Sequence, residues 1–226
     1  AAAVTPVWSG TAAFTNGRFN ELNGAAQLNG GAHLTTKNVN LAVNQPFSLA
    51  AWVRVSDLAA GRPILGNLTD FEFQWYVAAN GSVNFQNWYS SGALTNYLAG
   101  TSAGVVKANT WVHLAYVYRG ALYDKPGGRI FVNGHDMTVS STQASTSSLD
   151  SFGSSVTIGA TLSHASKFLG SMADVRVYNR ALSEGEINEL AQDAGGVSQA
   201  GSSFNTGATE LIAHYEMAGY TPSGAL

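Results

Sequence analysis

The 226-residue chain contains no cysteine, so disulfide bonds and thiolate metal sites are excluded. Charge is scarce as well. Only 11% of the residues are charged, and the net charge of -3 excludes the basic surface of a nucleic-acid-binding protein. The sequence also lacks an apolar run near the ~20 residues that a membrane-spanning helix needs. The length suits one all-β domain whose core requires no cross-links.

What the chain does have is a series of short strand-like runs separated by turns. Asn80-Gly81 and Asn133-Gly134 are strong hairpin signals, because both residue types tolerate a positive φ. Many short strands with frequent turns predict an all-β fold of two packed antiparallel sheets. The clearest predicted strands are residues 47–55, 70–77, 82–88, 111–118, 129–132, 156–158 and 172–178.

One helix is predicted, at residues 183–193. Ser183 and Glu186 have the spacing of a capping box, in which each side chain bonds to the backbone N–H of the other residue. Ile187, Leu190 and Ala191 then form one apolar stripe.

Six segments of the chain resemble, in the same order, the signature segments of laminin-G-like, concanavalin A-like jelly-roll domains. The most distinctive runs from 168 to 190, where a strand containing Asp174 leads into the capped helix. The other five are residues 27–34, 47–53, 111–118, 128–134 and 156–159. The resemblance implies a two-sheet concanavalin A-like jelly roll of the kind found in bacterial secreted and surface proteins. It therefore implies a secreted or cell-surface location, and it constrains the fold far more than the function.

Two neighbouring predicted strands carry a set of polar and aromatic side chains on one face. Period-2 alternation separates these side chains from Phe71, Phe73, Trp75 and Val77. Pairing Val77 opposite Val83 keeps the apolar faces together, because a slip of one residue would invert them. The resulting set, called here the polar wall, is Glu72, Gln74, Tyr76, Asn84, Gln86 and Trp88.

The polar wall is a candidate carbohydrate site. Amides and a carboxylate supply donors and acceptors for sugar hydroxyls, and aromatic rings stack on the C–H face of a pyranose. The resemblance agrees, since one sheet face of this fold often binds glycans. The alternative is that the wall is simply the solvated face of an antiparallel sheet.

Catalysis is not expected. Glycosidases on this fold place carboxylates in an E-x-D-x-x-E arrangement, and here Leu68 and Phe73 occupy the positions around Asp70 that would need acids. The five histidines are scattered without an i, i+4 pair, which leaves a zinc site unsupported. His113 lies in a strand pattern and is predicted to be a buried sheet residue. The aromatic residues that fall in strand patterns are predicted to be core residues: Trp52, Phe71, Phe73, Phe85, Trp111, Phe131 and Phe168.

Calcium is the one ion that the resemblance implies. Related jelly rolls often hold a structural Ca²⁺ between the first and last strands, with an acidic side chain from each. The matching positions in this chain are Asp174 and Glu216. Oxygen ligands of this kind suit Ca²⁺. Asp174 could equally cap a turn or pair with Arg176 or Arg180.

The ends of the chain depart from the family. The strand that usually begins such domains has no counterpart in residues 1–15, whereas residues 211–219 resemble it. We therefore divide the chain into a jelly roll at 1–193, a Gly/Ser-rich linker at 194–208 and a displaced strand at 209–226. That strand could complete its own sheet, begin a following repeat, or insert into a neighbouring molecule.

The function expected from the sequence is non-catalytic binding of an extracellular glycan or polysaccharide. Two alternatives stay open. One is a structural adhesin repeat or filament subunit that self-associates by exchange of the C-terminal strand. The other is an accessory domain of a polysaccharide-degrading enzyme. No nucleic-acid partner and no membrane insertion are expected.

Overall fold

The computed structural model describes residues 7–37, 45–67, 73–88, 95–119, 128–143, 155–161, 166–192 and 211–215. These residues form sixteen strands and one helix. The strands are β1 Val7–Ser9, β2 Ala13–Thr15, β3 Ala25–Asn29, β4 His33–Lys37, β5 Phe47–Val55, β6 Arg62–Asn67, β7 Phe73–Val77, β8 Val83–Trp88, β9 Thr95–Thr101, β10 Val112–Tyr118, β11 Arg129–Val132, β12 His135–Asp136, β13 Thr138–Gln143, β14 Ser155–Ile158, β15 Leu169–Tyr178 and β16 Leu211–Tyr215. The helix α1 is Glu184–Gln192.

The strands form two antiparallel sheets. Sheet A has the order β1-β4-β14-β6-β7-β8-β9-β13, and sheet B has the order β12-β11-β10-β5-β15-β3-β2, with β16 also pairing with β15. At one side of the sandwich the chain passes from the edge of sheet A to the edge of sheet B between β1 and β2. At the other side it passes back between β12 and β13. The predicted two-sheet antiparallel sandwich with one short helix is confirmed.

The main core fills the space between the sheets. Phe73, Trp75 and Phe85 of sheet A are at most 3% exposed, as the alternation predicts. Phe85 stacks on Tyr116 of sheet B with ring centroids 3.7 Å apart and an interplanar angle of 7°. Burial of large aromatic rings contributes most of the apolar area in such a core.

The predicted core aromatics do not all belong to this core. Trp52 and Phe131 are buried, but on the outer face of sheet B, each in a separate cluster. Trp111 is half-buried beside Trp52. Phe71, also predicted to be a core residue, lies outside the described residues.

Helix α1 covers one half of the outer face of sheet B. The capping box at its start is confirmed: Ser183 N–H donates to Glu186 Oε2 at 2.7 Å, and Glu186 N–H donates to Ser183 Oγ at 3.3 Å. Arg180 clamps the same carboxylate with two nitrogens, at 2.9 and 2.6 Å. The buried members of the cluster between helix and sheet are Ala50, Ala115, Val117, Phe131, Tyr178, Leu182, Ile187 and Leu190.

Strand β15 is central in sheet B. It pairs with β5 along one edge, and β3 and β16 share its other edge end to end. The residues of the predicted linker, 194–208, lie outside the described residues. A β16 strand from a second copy of the chain could occupy the same edge of β15. The division of the chain and the three alternatives for its C-terminal strand therefore stay predictions.

Candidate ligand-binding face

The predicted register between the two polar strands is present. Val77 pairs with Val83, Tyr76 with Asn84, and Gln74 with Gln86. Because Phe73, Trp75, Val77, Val83 and Phe85 all face the core, alternation places the intervening side chains on the outer face of sheet A.

Two rows of side chains cross this outer face at right angles to the strands. One row runs Pro63, Tyr76, Asn84, Gly100, Ser140, and the other runs Thr157, Gly66, Gln74, Gln86, Leu98, Thr142. Neighbouring positions in each row are separated by the ~4.8 Å spacing of paired strands. Gln74, Tyr76, Asn84 and Gln86 are half-buried.

Gly100 contributes no side chain to the first row. A Cβ atom at this position would lie 2.8 Å from Ser140 Oγ and 2.9 Å from Asn84 Oδ1. The Asn84 side chain is oriented by its own contact, since Nδ2 donates to Ser82 Oγ at 2.9 Å. The Asn84 and Ser140 side chains therefore lie over the backbone at Gly100 and fill the space that a side chain of residue 100 would occupy.

The described part of the face is electrically neutral. Tyr76 is its one ionisable side chain among the described residues of the two rows, and burial raises the pKa of its hydroxyl above the usual 10. The phenol therefore stays protonated at neutral pH and can both donate and accept a hydrogen bond.

The predicted polar wall is described in part. Gln74, Tyr76, Asn84 and Gln86 share the outer face as predicted. Glu72 lies outside the described residues, and for Trp88 the structure describes the backbone in β8 but not the side chain. The sequence prediction did not include Gly66, Leu98, Gly100, Ser140 and Thr142, which join the face from β6, β9 and β13.

Of the two predicted calcium ligands, only Asp174 is described. It lies in β15 with φ of 53° and accepts a hydrogen bond from Arg176 Nε at 2.8 Å. Glu216 lies outside the described residues. No group of three or more His, Asp or Glu side chains within the described ranges could hold a metal ion. A guanidinium already bound to the carboxylate does not suit a divalent cation, and the calcium site stays a prediction.

Several other described carboxylates are also held by arginine. Asp57 bonds to Arg62, Glu186 to Arg180, and Arg129 lies 3.5 Å from Asp136 and 3.1 Å from Glu184. Carboxylates paired in this way serve structure, and none of them belongs to the two rows on sheet A. His113 is 2% exposed, as predicted, and burial lowers its pKa to about 3, although attraction to Asp174 opposes the shift.

The family model described as the concanavalin A-like lectin/glucanases superfamily matches residues 28–188 of this sequence. The chain belongs to that superfamily. No curated protein matches the sequence. In the part of the chain that the structure describes, no helix has the length and apolar character needed to cross a membrane.

Three solved structures with a similar fold have low sequence identity to this chain. Domain 4 of AbnA, a GH43 extracellular arabinanase from Geobacillus stearothermophilus solved with arabinotriose, is 20% identical with a TM-score of 0.57, over 83% of this chain and 88% of that chain. The heptameric SAP-like pentraxin from Limulus polyphemus is 14% identical with a TM-score of 0.51, over 70% and 75%. The binding domain of Paraclostridial Mosquitocidal Protein 1 is 15% identical with a TM-score of 0.63, over 83% of this chain but only 47% of that chain. At these identities the likeness concerns the fold alone.

Proposed function

We propose that the chain is a non-catalytic carbohydrate-binding module of a secreted or cell-surface protein, and that it binds a glycan on the outer face of sheet A. The observation that carries this proposal is the pair of adjacent rows in which the half-buried residues Gln74, Tyr76, Asn84 and Gln86 lie side by side. Among the described residues of sheet B, α1 covers one half of the outer face, and the Arg18 guanidinium lies over Trp52.

The chemistry of the rows suits a neutral sugar. Each primary amide offers two N–H donors and one carbonyl acceptor, which matches the mixed donor and acceptor character of sugar hydroxyls. Asn84 Oδ1 and Ser140 Oγ lie together over Gly100, so a sugar hydroxyl at this point of the row could meet two polar atoms. The arabinotriose bound to domain 4 of AbnA shows that this fold can bind a neutral oligosaccharide, and it supports the proposal by analogy.

The test is a glycan-array screen followed by calorimetric titration of the best ligand. Gln86→Ala should weaken binding roughly 3- to 10-fold, the effect of one lost hydrogen bond. Trp88→Ala should weaken it further if the ring stacks on the sugar. The matched control is Gln192→Ala, on the exposed end of α1, where Gln192 contacts Asn188. Unchanged affinity in both wall variants, with the fold intact by circular dichroism, would remove the proposal.

A second candidate is a structural subunit that assembles by exchange of β16. The observation that favours it is the position of β16, which adds to one edge of β15 and follows a sequence of 18 residues after Gln192. Light scattering during size-exclusion chromatography separates the two candidates. A concentration-dependent series of oligomers would favour exchange, whereas a monomer at all concentrations would exclude it.

A further inference from the structure

Asp174 lies in β15, at the point along this strand where its pairing with β3 ends and its pairing with β16 begins. Along one edge of β15, β3 pairs with residues up to Met172, and β16 pairs from Val175 onward. Against β5, on the other edge, the register shifts between Ala173 and Arg176, so β15 carries one extra residue. A bulge of this kind frees its residue from the ladder and redirects its side chain.

Asp174, at the bulge, forms a buried ion pair with Arg176. Arg176 Nε lies 2.8 Å from Asp174 Oδ1, and each residue is only 8% exposed. An arginine guanidinium keeps its proton in proteins, and its planar N–H donors match a carboxylate. The guanidinium is therefore a permanent positive charge at this position.

Aromatic rings lie beside the pair on the outer face of sheet B. Trp52 pairs with Ala173, next to the bulge, and its ring lies beside that of His113 with centroids 5.4 Å apart. The Arg18 guanidinium lies 4.2 Å from the centroid of the Trp52 ring. On the other edge of β15, Arg176 pairs with His214, whose side chain the structure does not describe.

We propose that the Arg176 guanidinium is the built-in cation of this junction, in place of the calcium ion that the family resemblance implies, and that the domain folds and retains β16 without metal. Calcium needs six to eight oxygen ligands, and one oxygen of Asp174 already accepts from Arg176. The fixed guanidinium would also repel a divalent ion beside this carboxylate. The surrounding protein screens this repulsion only weakly.

The first experiment follows thermal unfolding of the whole chain in EDTA and in increasing calcium chloride. We expect the same midpoint in all conditions. An occupied calcium site at about 100 times its dissociation constant would raise the midpoint by roughly 5–10 °C, and a rise of that size would overturn the proposal. Terbium provides a second probe, because the adjacent Trp52 would sensitise emission from a lanthanide bound at Asp174. We expect no saturable emission.

The second experiment removes the built-in cation. Arg176→Gln should lower the midpoint by roughly 10 °C, because it leaves the Asp174 carboxylate buried without its partner. The matched control is Arg54→Gln in the neighbouring strand, where an exposed arginine donates only to Asn109 O. Equal midpoints for the wild type and Arg176→Gln would overturn the proposal. Should Arg176→Gln fail to fold, Arg176→Lys and the wild-type calcium titration decide the question. Glycan binding on sheet A is measured separately, so either proposal can fail alone.

Discussion

The outer faces of the two sheets differ in a way that the shared sandwich architecture does not require. On sheet A the outward residues Gln74, Tyr76, Asn84 and Gln86 are half-buried. On sheet B the outward residues Ala50, Ala115 and Phe131 are at most 1% exposed under α1, and Trp52 lies beneath the Arg18 guanidinium. These residues of sheet A are therefore partly open to solvent, while those of sheet B belong to a second small core.

The difference is already visible in single strands. Strand β7 alternates between buried and half-buried residues, as expected when one face contacts solvent. In β10 all seven residues are buried, which is the pattern of a strand covered on both faces. The burial pattern of a strand thus indicates whether its sheet is covered on both faces. The pattern of β7 is consistent with the candidate ligand face on sheet A.

Removing contacts under the helix should have the largest effect on stability. Ile187 is fully buried between α1 and sheet B, so Ile187→Ala should lower the free energy of unfolding by ~2–5 kcal/mol. The comparison variant is Gln86→Ala on sheet A, which should change it by less than ~0.5 kcal/mol. Urea denaturation measures both. Similar losses in the two variants would contradict the contrast between the faces.

Acid should destabilise the domain through His113, a buried residue of sheet B. His113 has a pKa of about 3 in the folded chain against 6.5 when exposed, so the unfolded chain binds more protons between these values and stability falls as pH falls. Between pH 7 and pH 5 the loss should be about 2 kcal/mol. Above pH 5 Glu186, whose folded pKa is about 2, contributes little to this change.

Two histidine variants attribute this pH dependence. His113→Gln should reduce the difference in unfolding free energy between pH 7 and pH 5, because the neutral amide does not titrate. His135→Gln, at an exposed position in β12, should leave the difference unchanged. If both variants keep the wild-type pH dependence, His113 does not control the acid response.

The smallest of these effects concerns the start of the helix that covers sheet B. Ser183→Ala removes the capping hydroxyl and should cost ~1 kcal/mol of unfolding free energy, while Ser183→Gly should cost only a few tenths. Differential scanning calorimetry should find the wild type most stable, Ser183→Gly slightly less stable and Ser183→Ala least stable. A glycine variant less stable than the alanine variant would show that backbone freedom, rather than the cap, dominates at this position.

Alternation within a hairpin could be predicted from the sequence, and contacts between distant strands could not. The pairing of Val77 with Val83 follows from two adjacent strands with clear alternation and an Asn-Gly turn. Gly100 and Ser140 reach the same face from β9 and β13, which bring no comparable local pattern. Their place depends on sheet order, and sheet order is a property of the whole chain.

Two further differences have local causes. Strands β1 and β2 have three residues each, too few to show a period, so residues 7–15 gave no strand signal. Trp52 and Phe131 were correctly predicted to be buried, but an apolar residue in a strand does not reveal which of two cores it joins. The second core becomes visible only in the folded chain, where α1 packs on the outer face of sheet B.

The end-to-end arrangement of β16 and β3 on β15 also has a mechanical consequence. A force applied through the chain beyond Tyr215 reaches sheet B first through four residue pairs, those of Val175, Arg176, Val177 and Tyr178 with β16. The pairs between β3 and β15 form a separate group farther along the strand. Under load β16 should detach from β15 first, while the polar rows of sheet A keep their arrangement.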